Sequence, residues 1–287
     1  MELTTIDTNN YAMMAKAMGL GAETTDKKSS SLARLRINHS PVIGSDRLLV
    51  KAGTYRLEVP DGPTYYAESA TMRPYMQRFM YKRFIKGVGD KPNRYVKTVM
   101  ADNLNIDLKD NDGGFNCGKP AGYNQDFKAL PQNTQDLIRQ IKRVRVVLGT
   151  VELSKVVTKD GEEATVDEKP FIWEIDNRDA FKEVGTIFTK LSKMQRLPVQ
   201  HPVALGTTER QLPNGNSFFL PTTSLDLKSS LTIDEHEHGM FTDFLSWVEN
   251  YNTYILNAWS DKATEKMSDD DIDVVDDLVD IEVEEVA

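Results

Sequence analysis

The chain has 287 residues, 39% hydrophobic and 28% charged, with 35 Lys and Arg against 44 Asp and Glu for a formal charge of −9. That length allows one large domain or two small ones with a sizeable core. A single cysteine, Cys117, excludes an intramolecular disulfide, and no apolar run approaches the roughly 18 residues of a membrane span. Met1–Asn10 is polar and acidic, without the basic start and apolar centre of a secretion signal. The expected setting is a reducing cytoplasm, naturally a bacterial cytosol, with no membrane among the partners.

Residues 1–31 read as a flexible N-terminal arm. Asn10–Met18 carries about two turns of helix-compatible sequence, ended by Gly19 and Gly21 and followed by the polar linker 26–31. A β-rich body is expected over 32–231. Its strand signals are Leu35–Ile37, Arg47–Val59 with a turn at Pro60–Pro63, the extended run Thr64–Ile85, and Arg94–Met100. Asn103–Lys128 is a polar, glycine-rich excursion. Gln135–Gln140 predicts a helical turn, Ile141–Leu153 and Pro170–Asp176 strands, Phe181–Leu191 a helix, and Val203–Leu227 a hairpin around Pro213-Asn214-Gly215. Many short strands separated by turns predict a mainly β fold, an OB-like barrel or a partly open sheet with insertions.

After Leu227 the period changes. Thr232-Ile233-Asp234-Glu235 fits a capping box. Phe241, Phe244, Leu245, Val248, Tyr251, Ile255 and Trp259 recur at helical spacing, so 232–266 is expected as an amphipathic helix docked on the body. Residues 267–287 then carry ten carboxylates and no basic residue: Asp269, Asp270, Asp271, Asp273, Asp276, Asp277, Asp280, Glu282, Glu284 and Glu285. Without them the body has 35 basic against 34 acidic residues, a net of +1. Such a block predicts a disordered, partner-binding tail. Ile272, Val274, Val275, Leu278, Val279, Ile281, Val283 and Val286 interleave with the acids and would suit a partner groove.

The densest basic stretch is Arg73–Lys97. Arg73, Arg78, Lys82, Arg83, Lys86, Lys91, Arg94 and Lys97 stand against one acid, Asp90, with Tyr75, Phe79, Tyr81, Phe84 and Tyr95 interleaved. If 75–83 is a strand, Tyr75, Phe79 and Tyr81 share one face with Gln77 and Arg83, opposite Met76, Arg78, Met80 and Lys82. Rings beside cations suit unpaired nucleic acid, because bases stack on the rings at roughly 1–3 kcal/mol each while Lys and Arg neutralise phosphates. The alternative is that the rings are core and the charges a wet face. Lys142, Arg143 and Arg145 on a second strand, with Trp173 on the next, extend the surface if the faces are continuous. The candidate single-strand contacts are therefore Arg73, Tyr75, Arg78, Phe79, Tyr81, Lys82, Arg83, Lys86, Arg94, Tyr95, Lys97, Lys142, Arg143, Arg145 and Trp173.

Other chemistry is weakly signalled. Gly113–Lys119 fits the start of a phosphate-binding loop, but Pro120 stands where Ser or Thr should bind Mg²⁺, and no buried strand precedes it. His236 and His238 lack the further ligands a structural metal wants, so no metal and no cofactor are expected. Glu174 and Asp176 share a strand face, without a matched Lys or His to suggest catalysis, and no Ser-His-Asp arrangement stands out. An enzyme is not expected.

The order of basic-aromatic β body, amphipathic helix and acidic tail resembles bacteriophage single-stranded DNA-binding proteins. The short run Lys27–Ser31 is similar to the basic-then-hydroxyl element by which some of them contact neighbours. The resemblance implies an OB-fold, a role coating unpaired DNA in replication, recombination and repair in the infected host cytoplasm, and possible homo-oligomers. It also implies a tail that competes with DNA and recruits a polymerase, primase or helicase. Extended, the tail would reach on the order of 70 Å. The chain departs from those relatives that hold a Cys/His zinc site and from those that end in an aromatic residue. A phage structural or assembly protein and a strand-annealing recombination protein are the alternatives.

Overall fold

The computed structural model describes residues 32–283 apart from 46, 88, 90, 91, 120–126 and 213–214, with side chains to residue 263. These residues all belong to the unit of residues 32–287. The arm expected over 1–31 lies outside them, as do Asp90, Lys91, Pro120, Glu284 and Glu285. Among the described residues the strands are β1 (Ala33–Ile37), β2 (Val42–Ile43), β3 (Leu48–Val50), β4 (Tyr55–Glu58), β5 (Thr64–Ala67), β6 (Ser69–Ile85), β7 (Arg94–Lys97), β8 (Ile141–Ser154), β9 (Val156–Thr158), β10 (Glu163–Ala164), β11 (Lys169–Ile175), β12 (Val203–Gln211) and β13 (Ser217–Leu225). The helices are α1 (Gln132–Gln140), α2 (Arg178–Lys193) and α3 (Glu235–Val283). With 40% strand and 29% helix the fold is mainly β.

The main sheet runs β10-β9-β5-β4-β1-β11-β8-β6-β12-β13, with β7 added on β6. β1 lies parallel to β11, which makes the sheet mixed. The path has two ends and does not close into a barrel, so of the two expected forms the open sheet is the one found. It curls nonetheless. The Tyr55 hydroxyl donates to the Gly206 carbonyl at 2.9 Å and the Thr207 hydroxyl to the Gly53 carbonyl at 2.6 Å, bringing β4 and its preceding turn against β12.

β8 is the spine because its central residues are β-branched or aliphatic and both its faces are covered, as in a doubly buried strand. On the concave face Val147 and Val151 meet Met72, Phe171 and Trp173 under α2. That helix buries Ala180, Val184, Ile187, Phe188 and Leu191, one stripe at helical spacing, and its N-terminus is capped by Asn177, whose side chain accepts from the amides of Asp179 and Ala180. On the other face Val144, Val146 and Leu148 join Met76, Met80, Ile172 and Met100 beneath Phe244 and Val248 of α3. Burying each such side chain is worth roughly 1.5–3 kcal/mol.

The alternation expected along 75–83 fails at one point. Pro74 pairs with Gly149 and Met76 with Leu148, so Tyr75 is an extra residue in a β-bulge. The bulge turns Tyr75 to the α3 side, where its ring packs edge-on to Phe244 at 5.3 Å. Gly149 is what lets the strands close there: a Cβ on it would overlap the carbonyl of Arg73.

The capping box falls two residues beyond its expected place. The carboxylate of Asp234 accepts from the amides of His236 and Glu237 at 2.8 and 3.4 Å, while Glu237 accepts from the Asp234 amide at 3.2 Å. From there α3 continues to Val283 instead of ending at 266. Between Met240 and Val283 there is neither Gly nor Pro to stop it, so the backbone of the acidic segment carries on as helix where a disordered tail was expected. No helix among the described residues is long and apolar enough to cross a membrane.

Candidate nucleic-acid interface

The register of β6 with β7 and β8 fixes which side chains share a face. Met80, Lys82 and Phe84 follow one another on the α3 side of β6. Tyr95 and Lys97 of β7 stand opposite Phe84 and Lys82, and Lys142 of β8 also stands opposite Lys82. Moving outward, this face passes from the core under α3 to a cluster of charges and then to an aromatic pair at the end of the strands.

The charge cluster holds three lysines and two carboxylates. Lys82 Nζ lies 3.1 Å from Asp176 and 3.6 Å from Glu174; Lys97 Nζ lies 3.1 Å from Glu174, and Lys142 Nζ 3.4 Å from Asp176. Burial would push both carboxyls up. For Glu174 the opposing pull of Lys97 and Lys82 wins, and for Asp176 that of Lys82 and Lys142, so both are held below the ordinary carboxylate range. Three cations against two anions leave one positive charge in excess. Since the folded pKa values are depressed, the stability these carboxylates contribute is present above their unfolded values near ~4. It is lost as pH falls through the folded ones. The urea midpoint should therefore drop through that acid window, and the drop should be shallower in Glu174→Gln/Asp176→Asn. An identical drop in the variant would refute the assignment.

The aromatic pair is Phe84 and Tyr95, directly opposed across the strands with ring centroids 5.1 Å apart. They are 44% and 52% exposed. Lys82 Nζ stands 5.6 Å from the Tyr95 ring centroid, a cation–π contact linking pair and cluster. Lys86 is exposed just beyond, as is Arg143 on the opposite face of β8, and neither forms an ion pair with a described residue.

Most of the other expected contacts are committed elsewhere. Tyr75, Tyr81 and Trp173 are buried, at 7%, 3% and 4% exposure, which corrects their assignment as stacking platforms. Tyr75 was moved by the bulge. Tyr81 is covered by Val96, Leu108 and Cys117, and Trp173 packs edge-on to Tyr55 at 6.0 Å. Phe79 is half-buried against Phe181. Arg73, also expected at the surface, braces α3. It pairs with Glu237 at 2.5 Å and donates to the carbonyls of Val199 and Thr232 at 2.8 and 2.7 Å. Arg78 pairs with Asp102 at 3.1 Å, and Arg94 makes a two-pronged contact with Asp112. Arg83 is half-buried beside the Asn116–Gly118 turn, and Arg145 is buried under α2.

The glycine-rich loop is organised around a carboxylate. Buried Asp110 accepts from the amides of Asp112, Gly114 and Cys117, each at 3.0 Å, so the donors a phosphate loop would offer are already taken. Burial pushes the Cys117 thiol up to about 12, which leaves it inert. Sequence reasoning passed over Phe84 as a contact and weighed Glu174 and Asp176 only as catalytic acids. The signal was present in the two-residue spacing from Met80 through Lys82 to Phe84.

No family model, curated protein or solved structure matches the chain.

Proposed function

We propose that this protein binds single-stranded DNA, with the end of the β6–β7 hairpin as its contact surface. The observation that carries the reading is the exposed Phe84–Tyr95 pair set beside an excess of cations. Two solvent-facing rings give bases a sequence-tolerant platform, and the one unbalanced positive charge of the Lys82–Lys97–Lys142 cluster, with Lys86 beyond, gives phosphates counter-charge. The likeness to phage single-stranded DNA-binding proteins belongs to this proposal, as does an OB-like ancestry for the curled, open sheet. So does a role in covering unpaired DNA during replication and recombination. Binding needs no catalytic step.

The acidic segment 267–287 is its regulator in this reading. Its ten carboxylates compete with DNA for the cationic end of the sheet, and DNA frees them for a replication protein. In helical form the segment rises only about 1.5 Å per residue, so reaching the patch entails unwinding. Like charges four apart in sequence, such as Asp269, Asp273 and Asp277, favour that.

The test is fluorescence anisotropy of labelled poly-dT with the full chain and a 1–266 truncation, each over a salt series. Salt-sensitive binding that tightens on truncation is the expected result. Equal affinity of the two proteins at low salt would remove the competing tail. No binding by either would remove the single-strand reading and favour a structural or assembly role.

A further inference from the structure

Arg145 sits on a strand whose sequence pattern put it at the wet face, yet the fold leaves it 8% exposed. No carboxylate of a described residue pairs with it. Its Nε donates to the Phe181 carbonyl at 3.2 Å and its Nη1 to the side-chain oxygen of Gln77, while Nη2 has no acceptor among the described residues. The rings of Phe181, Phe79 and Phe188 have centroids 4.4, 4.9 and 6.0 Å from the guanidinium carbon, so π density stands where a counter-ion would be. Burial without an anion lowers its pKa to about 10. A buried cation is ordinarily paired with an anion, and this one has none among the described residues.

Arg145 is among the residues lining a shallow, open groove of about 470 Å³ along α2, with Lys182, Lys190 and Lys193, and its Nη2 lies beside Gly185 of the same lining. Spacings of eight and three residues put these lysines on one side of the helix. Thr186 and Thr189 direct their hydroxyl protons to carbonyls of their own helix, so the donors offered to the groove are cationic. No carboxylate lines it. The nearby acid, Glu183, is turned away and accepts from the amide and hydroxyl of Thr223 at 3.2 and 2.8 Å. Gly185 makes the room: a Cβ there would come within 2.5 Å of Nη2 and 3.0 Å of the guanidinium carbon.

We propose that this groove is a phosphate-binding subsite, with Arg145 Nη2 at its floor and the three lysines at its rim. A phosphate oxygen would supply the missing acceptor, and the planar guanidinium suits an oxyanion better than a point charge would. Arg145 pairs across the strands with Phe79, on the sheet face opposite to Phe84 and Tyr95, so the subsite does not share their contacts. It therefore goes beyond the single-strand reading and does not depend on it. The phosphate could belong to a nucleic-acid backbone or to a phosphorylated small molecule.

The experiment is thermal unfolding of the full chain in inorganic phosphate against chloride at equal ionic strength. Phosphate should raise Tm by a few degrees at saturation, because it binds the folded state alone. Lys182→Gln/Lys190→Gln should weaken the apparent phosphate affinity at least tenfold. Gly185→Ala keeps every charge but drives a methyl group at Nη2, and should abolish the shift. Should that variant fail to fold, the lysine pair decides. A shift as large in chloride, or undiminished in the lysine variant, overturns the proposal. Phe84→Ala/Tyr95→Ala should keep the phosphate shift whatever it does to DNA binding, which separates failure of this proposal from failure of the other. Competition by an oligo-dT assigns the phosphate to a backbone diester; competition by ribose 5-phosphate alone assigns it to a free monoester. Competition by neither overturns the subsite.

Discussion

Replacing Phe84 and Tyr95 together with alanine is expected to weaken oligo-dT binding by about 30-fold to 10⁴-fold. Each base–ring stack is worth roughly 1–3 kcal/mol, and 1.4 kcal/mol is about tenfold in affinity. The fold should hardly notice. An exposed cross-strand pair contributes only about 0.2–1 kcal/mol to stability, and at 44% and 52% exposure neither ring is part of the core. Anisotropy with the double variant at fixed salt, beside its melting curve, measures both quantities. Tyr81→Phe is the control: that ring is buried, its hydroxyl donates to the Leu104 carbonyl at 3.2 Å, and its loss should leave DNA affinity unchanged. If the double variant binds as tightly as the native protein, the hairpin end is not the contact surface. Lys86→Gln should act differently, weakening binding modestly and lowering the salt slope by roughly 0.7 for each phosphate it no longer neutralises.

Arg73→Ala is expected to be the more damaging change to the fold, costing about 3–5 kcal/mol as the loss of one partner of a largely buried pair. Its guanidinium ties three separated segments together: the carbonyl of Val199, the carbonyl of Thr232 and the carboxylate of Glu237 in the first turn of α3. Glu237 is also the acid of the capping box. Its hydrogen bond to Asp234, with Arg73 beside it, holds its pKa down to about 2, so it stays charged and would be stranded without the arginine. The helix start and the Phe244–Tyr75 contact behind it would loosen together. Urea unfolding gives the cost. Arg73→Lys should recover only part of it, since an ammonium cannot meet three acceptors in that fork geometry. Oligo-dT affinity of the folded fraction should be unaffected, which separates a brace from a phosphate contact. A variant that keeps its urea midpoint but loses DNA affinity would reverse the assignment.

Much of the fold was legible because local chemistry decides it. The long apolar run within Ile141–Ser154 marks a strand, and the apolar stripe of α2 and the run from Phe244 to Ile255 follow from the helical side-chain period. The errors have local causes as well. One inserted residue at Tyr75 reverses the face of the strand before it, and a carboxylate two positions later than expected makes the better cap. In the acidic segment composition argued for disorder, whereas the absence of Gly and Pro after Gly239 leaves the backbone free to continue as helix to Val283.

The sequence by itself determined a mainly β body, its two packed helices, the abundance of cations in Arg73–Lys97 and the separation of a near-neutral body from an acidic end. It could not determine which of those cations remain unbalanced. Charge counted along the chain includes only sequence neighbours, whereas Coulomb attraction acts through space. Glu174, Asp176, Asp102, Asp112 and Glu237 arrive from other segments to neutralise Lys97, Lys82, Arg78, Arg94 and Arg73. Nor could it say which rings meet water. Tyr81 and Tyr95 have the same chemistry, and only the docking of residues 104–118 over one and open solvent over the other made the first core and the second surface.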